Sequence, residues 1–262
     1  MRAPAAFKAS PVSPRLGLRE RRDRVELWTE TVGSEPAVYG ERWARVDGRS
    51  FRGFEPSRSK LAAALSRGWT GPVPLAGERW LYLGAASGTT ASHVADLLGP
   101  AGRLYAVERS VRPFARLVAV AERWPNLLPL LGDAKEPERY GDVVPIVDGI
   151  YADIAQPDQV TIVLANAAIF LRSAGGAVTM ALKTSSMGRE RTGPVHLRAA
   201  EEALSADLVL AASVRLDPQY RSHYLVGGRR AGARPAAVPP SHPRSPPSRS
   251  GPFGRRFPRP RR

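Results

Sequence analysis

Five short stretches carry residues whose types and spacing could do chemistry. Gly84-Ala85-Ala86-Ser87-Gly88-Thr89-Thr90 is a small-residue turn, closed by two threonines, directly after the apolar run WLYL. Glu108 ends RLYAVE, Asp133-Ala134 follow NLLPLLG, Asp153-Ile154-Ala155-Gln156 follow GIYA, and Lys183 ends AVTMALK. Glycines let a backbone pass close to a ligand. A carboxylate at the end of a second strand can accept both hydroxyls of a ribose. Asp133 could then read an adenine amino group. The pattern is that of an adenosine-binding crevice. The loop is G-x-x-x-G rather than G-x-G-x-x-G, and no lysine follows its second glycine as in a P-loop. A pyrophosphate wants a fuller phosphate cradle at a helix start. S-adenosylmethionine, which carries no phosphate, suits the loop better.

The acceptor side is less explicit. An aspartate beside an apolar strand, as in YADIAQPDQ, is seldom neutral packing, because unpaired burial is costly. A lysine that closes a hydrophobic strand either snorkels or works. His93, on the helix after the glycine loop, reads as a packing or capping residue, and His196 and His242 carry no signal. No His/Asp/Glu cluster has metal-ligand spacing, so no metal is expected.

Positioning these residues takes a particular set of elements. RWLYLG, RLYAVE, NLLPLLGDA, GIYADIA and AVTMALK read as strands. TTASHVADLLG, VRPFARLVAVAERW, QVTIVLANAAIFLRSAG and GPVHLRAAEEALSA read as the helices between them, and DLVLAASVRL and HYLVGG close the set. Such alternation predicts an α/β fold with an open, mainly parallel sheet and helices on both faces. Ligands then bind at the carboxyl ends of the strands, near the switch point. Upstream, VELWTETV and YGERWARVDGRSFRGF alternate like hairpin strands, and SRSKLAAALSRG looks like a serine-capped helix stopped at Gly68.

The chain has 262 residues and a formal net charge of +15. Residues 228–262 hold ten arginines and no acid, and residues 1–24 hold seven Lys or Arg against two acids, which leaves a near-neutral body between two basic ends. The predicted organisation is a basic flexible arm over 1–24, a small β-rich domain over 25–76, a cofactor-binding domain over 77–228, and a disordered Arg/Pro/Ser tail over 229–262. Such a tail attracts polyanions without sequence preference. With no cysteine there is no disulfide, thiol nucleophile or cysteine metal site. No run of 18 apolar residues predicts a membrane helix. The start lacks the apolar core of a secretory signal, although its Arg-rich, acid-poor character loosely resembles a transit peptide.

VYGERWARVDGRSFRGFEPSRSKLAAAL, LYLGAASGTTASHVADLLGPAGRLYAVE, NLLPLLGDA and ADIAQPDQ together resemble fibrillarin, over about residues 38–228. The resemblance is nearer the archaeal form. It implies a class I, Rossmann-like S-adenosylmethionine-dependent methyltransferase fold with a mainly parallel seven-stranded sheet, preceded by a small β-rich N-terminal domain. The implied activity is 2′-O-ribose methylation of rRNA, with tRNA as a further substrate, in a box C/D guide ribonucleoprotein. The implied cofactor contacts are Thr89, Thr90, Glu108, Arg109, Asp133, Ala134, Asp153, Ile154, Ala155 and Gln156. Lys60, Asp153, Lys183 and His223 are similar to the family's catalytic group. The implied partners are a box C/D guide RNA, its target rRNA, a Nop-type scaffold protein and a kink-turn-binding, ribosomal-protein-like subunit, with no membrane. The implied location is cytoplasmic for an archaeal type and nucleolar for a eukaryotic one.

Two departures bear on the site. Arg109 stands where the family usually has Phe, which could pack on adenine; an arginine stacks more loosely. The family pattern E-P-Y-E-R-D-H reads Asp217-Pro218-Gln219-Tyr220-Arg221-Ser222-His223 here, so the acid beside the histidine is lost. A ribose hydroxyl is a poor nucleophile, and transfer from a sulfonium needs alignment as much as acid–base help. Asp153 is placed to bridge cofactor and acceptor. Lys183 could polarise the 2′ oxygen or take its proton. Lys60 is either a second cation or a phosphate grip, and His223 either orients the group or contacts RNA. Two competing readings stand beside this one: a protein (glutamine) methyltransferase on the same fold, and a non-catalytic assembly subunit.

Overall fold

The structure is a computed structural model that describes residues 7–21, 24–188 and 192–232. These described residues form one compact unit. Its first layer is a five-stranded antiparallel sheet of β1 (Lys8–Ser10), β2 (Ser13–Arg21), β3 (Arg24–Glu30), β4 (Trp43–Val46) and β5 (Arg49–Gly53), in the order β1-β2-β3-β5-β4. The β4–β5 turn places Asp47 and Gly48 at φ 50° and 76°, the left-handed pair that a tight hairpin needs.

The second layer is the α/β body. It contains α1 (Lys60–Leu65), β6 (Arg79–Leu83), α2 (Thr89–Leu98), β7 (Arg103–Glu108), α3 (Val111–Ala121), β8 (Leu127–Leu131), β9 (Gly149–Ala152), α4 (Gln159–Phe170), β10 (Ala177–Lys183), α5 (Gly193–Ser205), β11 (Val209–Arg215) and β12 (His223–Arg229). Its seven strands lie in the order β11-β12-β10-β9-β6-β7-β8. The pairings among β6 to β10 are parallel, and β12 runs antiparallel to both β10 and β11. Buried runs such as Trp80–Leu83, Ile150–Ala152 and Val178–Leu182 explain why these strands read as continuous apolar stretches rather than alternations: helices cover both faces. The order reverses between β6 and β9, and the glycine loop and Asp153 leave the sheet side by side at that switch point.

Three expectations about organisation need correction. The basic arm over 1–24 is strand from Lys8: Leu16 is 1% exposed in the shared core, and Arg15 donates to the carbonyls of Asp96 (2.6 Å) and Glu30 (2.8 Å). Arginines and a proline between its apolar positions concealed the strand pattern. The boundary at residue 76 divides two sheets but not two cores, because Leu16, Leu27 and Phe54 pack in one cluster with Leu97, Leu98 and Trp124. The expected tail from 229 begins as structure. Arg229 ends β12, and Arg230 binds both carboxylate oxygens of Asp207 at 3.0 Å. The rest of that tail, 233–262, lies outside the described residues, as do residues 1–6, 22–23 and 189–191. Among the described residues no helix is long and apolar enough to cross a membrane.

The two layers are joined by a buried polar cluster. Arg52 and Asp96 have fully buried side chains, paired Nε to Oδ2 at 2.6 Å; Arg52 also reaches Glu41 at 2.8 Å and lies over the Trp124 ring. Asp96 further accepts from Thr29 Oγ1 (2.8 Å), Val32 N (3.0 Å) and Trp124 Nε1 (2.8 Å). His93 Nδ1 lies 2.8 Å from Thr29 Oγ1 and Nε2 lies 2.8 Å from Tyr39 Oη, with the ring stacked on Phe54. Burial, helped by the Arg52 charge, holds the His93 imidazole well below its ordinary pKa and so neutral. Its role is packing, as expected from its position.

Candidate active site

The cofactor side of the crevice is built on backbone geometry. Gly84 has φ +79°, and a Cβ there would stand 2.5 Å from the Asp153 carbonyl oxygen, so only glycine lets the first strand end pass the fourth. Gly88, at φ +89°, opens α2 without a side-chain cap. Glu108 is 8% exposed, and its carboxylate accepts from Ala86 N (2.9 Å) and Ser110 N (2.7 Å). Those two bonds fix the carboxylate while leaving lone pairs for a diol. Asp133 accepts from Lys135 N (3.0 Å), and Arg109 Nη1 stands 3.4 Å from its other oxygen. The carbonyl of Ala134 is held by Asn166 (2.8 Å). This donor set fits an adenosyl ligand: two fixed carboxylates at successive strand ends beside a loop stripped of side chains.

Thr89 begins α2 at the crevice, whereas Thr90 is turned inward. Its hydroxyl donates to Ser59 Oγ (3.1 Å), and Ser59 in turn caps α1 by accepting from Ala62 N. Of the two threonines expected as cofactor contacts, Thr89 opens α2 directly after the glycine loop, and Thr90 spends its hydroxyl on Ser59. Thr90 couples the glycine loop to the helix that begins with Lys60.

That coupling matters on the acceptor side. Lys60 Nζ donates to Asp153 Oδ2 at 2.8 Å, with both side chains about four-fifths buried. Lys183 and His223 are cross-strand partners at the end of the β10–β12 ladder. His223 feels all three other groups: burial lowers its pKa most, the Lys60 and Lys183 charges lower it further, and the Arg221 carbonyl and Asp153 oppose them. Lys60, Asp153, Lys183 and His223 are thus brought together from four separate segments. Of the remaining expected residues, Ile154, Ala155 and Gln156 form the loop that carries Asp153 onward to α4, with Ala155 exposed and Ile154 packed against the core.

The lost acid beside His223 is answered by backbone. His223 Nδ1 donates to the Arg221 carbonyl at 2.8 Å, which fixes the tautomer and leaves Nε2 as the acceptor. Ser222 makes this possible at φ +62°, with its own carbonyl taking Thr184 N (2.9 Å) and Oγ1 (3.1 Å).

Sequence reasoning missed two supporting residues. Gln159 is fully buried, accepts from Lys183 N (2.9 Å) and donates to Lys183 O (3.0 Å), so the last residue of AQPDQ aligns the lysine strand. A glutamine opening an otherwise apolar helix was the available signal. Tyr220 lies with its ring under Lys60 Nζ, 5.2 Å from the centroid. Among the described residues no group of three or more His, Cys, Asp or Glu could hold a metal.

The Fibrillarin family model matches residues 17–231. The chain belongs to the fibrillarin family. It is similar to the fibrillarin-like rRNA/tRNA 2′-O-methyltransferase of Aeropyrum pernix, 44% identical over 203 residues, covering 77% of this chain and 87% of that protein. Among solved structures, it is similar to Aeropyrum pernix fibrillarin in complex with natively bound S-adenosyl-L-methionine. That match has a TM-score of 0.77 and 38% identity, covering 87% of this chain and all of the other. It is also similar to the fibrillarin of a fibrillarin/Nop5p complex, with a TM-score of 0.73 and 35% identity, covering 84% and 100%. The fibrillarin match runs through the N-terminal sheet from β2 as well as the α/β body, in keeping with their single core.

Proposed function

We propose that this chain is an S-adenosylmethionine-dependent RNA 2′-O-ribose methyltransferase, the catalytic subunit of a box C/D guide ribonucleoprotein acting on rRNA and tRNA. One observation carries the reading within the family: the Lys60–Asp153 ion pair converges with Lys183 and His223 at the switch point, beside the glycine loop. The cofactor, when bound, supplies a methyl group on a sulfonium. Glu108 and Asp133 would hold its adenosine, and the Gly84–Thr89 loop its other end. Asp153 fixes Lys60 at the acceptor side, so that the ammonium meets the ribose already oriented. Lys183 and Lys60 then hold the 2′ oxygen in line and stabilise negative charge as it develops there. His223 Nε2, an acceptor, is available for the hydroxyl proton.

A Nop-type scaffold protein is the expected partner, in line with the fibrillarin/Nop5p complex. We place a guide RNA and a kink-turn-binding subunit in the same particle, because the near-neutral body lacks the basic face of a self-sufficient RNA binder. The test is methyl transfer from labelled S-adenosylmethionine to guide-paired RNA with scaffold proteins present, against a target carrying a 2′-deoxy residue. Label on the ribose target alone supports the reading. Equal label on both moves the acceptor to base or protein, and no label despite cofactor binding leaves an assembly subunit.

A further inference from the structure

The hairpin tip between β11 and β12 is pinned from two directions. Leu216 N bonds the His223 carbonyl at 2.9 Å, and Tyr220 N bonds the Leu216 carbonyl at 3.1 Å, closing residues 216–223 on themselves. Arg67, just beyond α1, donates to the Asp217 carbonyl (2.9 Å) and to the Gln219 side chain. The tip therefore presents Tyr220 in a fixed place. One face of the half-buried ring lies under Lys60 Nζ, and its edge meets His223 at an interplanar angle of 67°, with centroids 6.1 Å apart. Burial, with Asp153 nearby, pushes the phenol up to about 12, so the ring is neutral at working pH. No other aromatic among the described residues touches both a lysine and a histidine of the group.

We infer that Tyr220 is a positioning residue for methyl transfer: its ring holds Lys60 against Asp153 and shields His223 from water. This rests on the methyltransferase reading above. A cation over an aromatic face keeps its charge while losing water, which a polar neighbour would not allow as cleanly. The ring, not the hydroxyl, carries the role, so phenylalanine should replace tyrosine and alanine should not. His223 is faced by Lys60 from α1, Asp153 after β9, Lys183 from β10 and the Arg221 carbonyl from its own tip. Tyr220 meets the half-buried imidazole edge-on from the same tip.

The test compares the full chain with Tyr220→Phe and Tyr220→Ala. The His223 imidazole is titrated by NMR without RNA, and single-turnover methyl transfer is measured in the assembled particle at saturating cofactor. In Tyr220→Ala, the His223 pKa should rise toward the ordinary value as water enters. The transfer rate should fall about tenfold, equivalent to about 1.4 kcal/mol, between the values of an exposed and a fully desolvated cation–π contact, with cofactor affinity unchanged. Tyr220→Phe should match the parent in both readouts. A Tyr220→Ala variant with unmoved His223 titration and unmoved rate overturns the inference, as does a Tyr220→Phe variant that behaves like alanine. If the parent itself transfers no methyl to ribose, the functional reading fails, while the titration still decides whether Tyr220 shields the histidine.

Discussion

Lys183 and His223 face each other directly as the last pair of the β10–β12 ladder. An antiparallel strand inserted into a parallel sheet brings its first residue opposite the last residue of its neighbour. A strand end that binds ligand and a strand start that carries the imidazole are thereby fused into one site.

Lys183→Ala should lower ribose methylation by about 100-fold or more, because it removes a cation made useful only as charge develops on the acceptor. Cofactor affinity should stay within about twofold, since Glu108 and Asp133 are untouched. Calorimetry of cofactor binding beside single-turnover transfer checks this. Near-normal transfer with cofactor bound would refute the assignment.

Arg109→Phe should tighten cofactor binding by roughly three- to tenfold. The guanidinium now stands 3.4 Å from Asp133, in competition with an adenine amino group, and a phenyl ring would release that carboxylate and stack on the base. Titration at two salt concentrations reads the change, and unchanged affinity would mean the ion pair plays no part.

Gly84→Ala should cost about 2–4 kcal/mol, combining left-handed backbone strain with a clash against the Asp153 carbonyl. Chemical denaturation measures it. Transfer should fall further than folding does, because the displaced residue is Asp153 itself.

Asp96→Ala should be the most destabilising of these changes, at about 3–5 kcal/mol, because it strands a fully buried Arg52. Trp124, Thr29 and Val32 N lose a partner at the same time. A thermal melt near the parent's would show that Glu41 alone suffices for the arginine.

Stability should fall with acid through His93. Its folded pKa is depressed, so below the ordinary 6.5 the unfolded chain binds a proton that the native state refuses. Stability from this group is complete above about 6.5 and declines by roughly 1.4 kcal/mol per pH unit below it, until the depressed folded value is reached. His93→Gln should flatten the pH slope of urea unfolding between pH 7 and 5; an unaltered slope would place the effect elsewhere.

Much of this was legible in the sequence because parallel strands under helices are written as unbroken apolar runs, each ending in a residue that cannot be core. Glu108, Asp133, Asp153 and Lys183 were visible for that reason. Arg15 and Arg52 were not: an arginine in a strand reads as surface, and only the tertiary placement of Asp96, with Glu30 beside Arg15 and Glu41 beside Arg52, makes burial affordable. Tyr220 was hidden differently. In the sequence it is a departure from a family pattern, and its meaning appears only when α1 lays Lys60 across it.

α1 is a six-residue helix tied to two different loops, through Lys60 to Asp153 at its start and through Arg67 to the β11–β12 tip just past its end. A displacement of this one short helix is therefore felt at Asp153 and at the tip that carries Tyr220 and His223 together, so the acceptor-side residues are coupled through about a turn and a half of backbone.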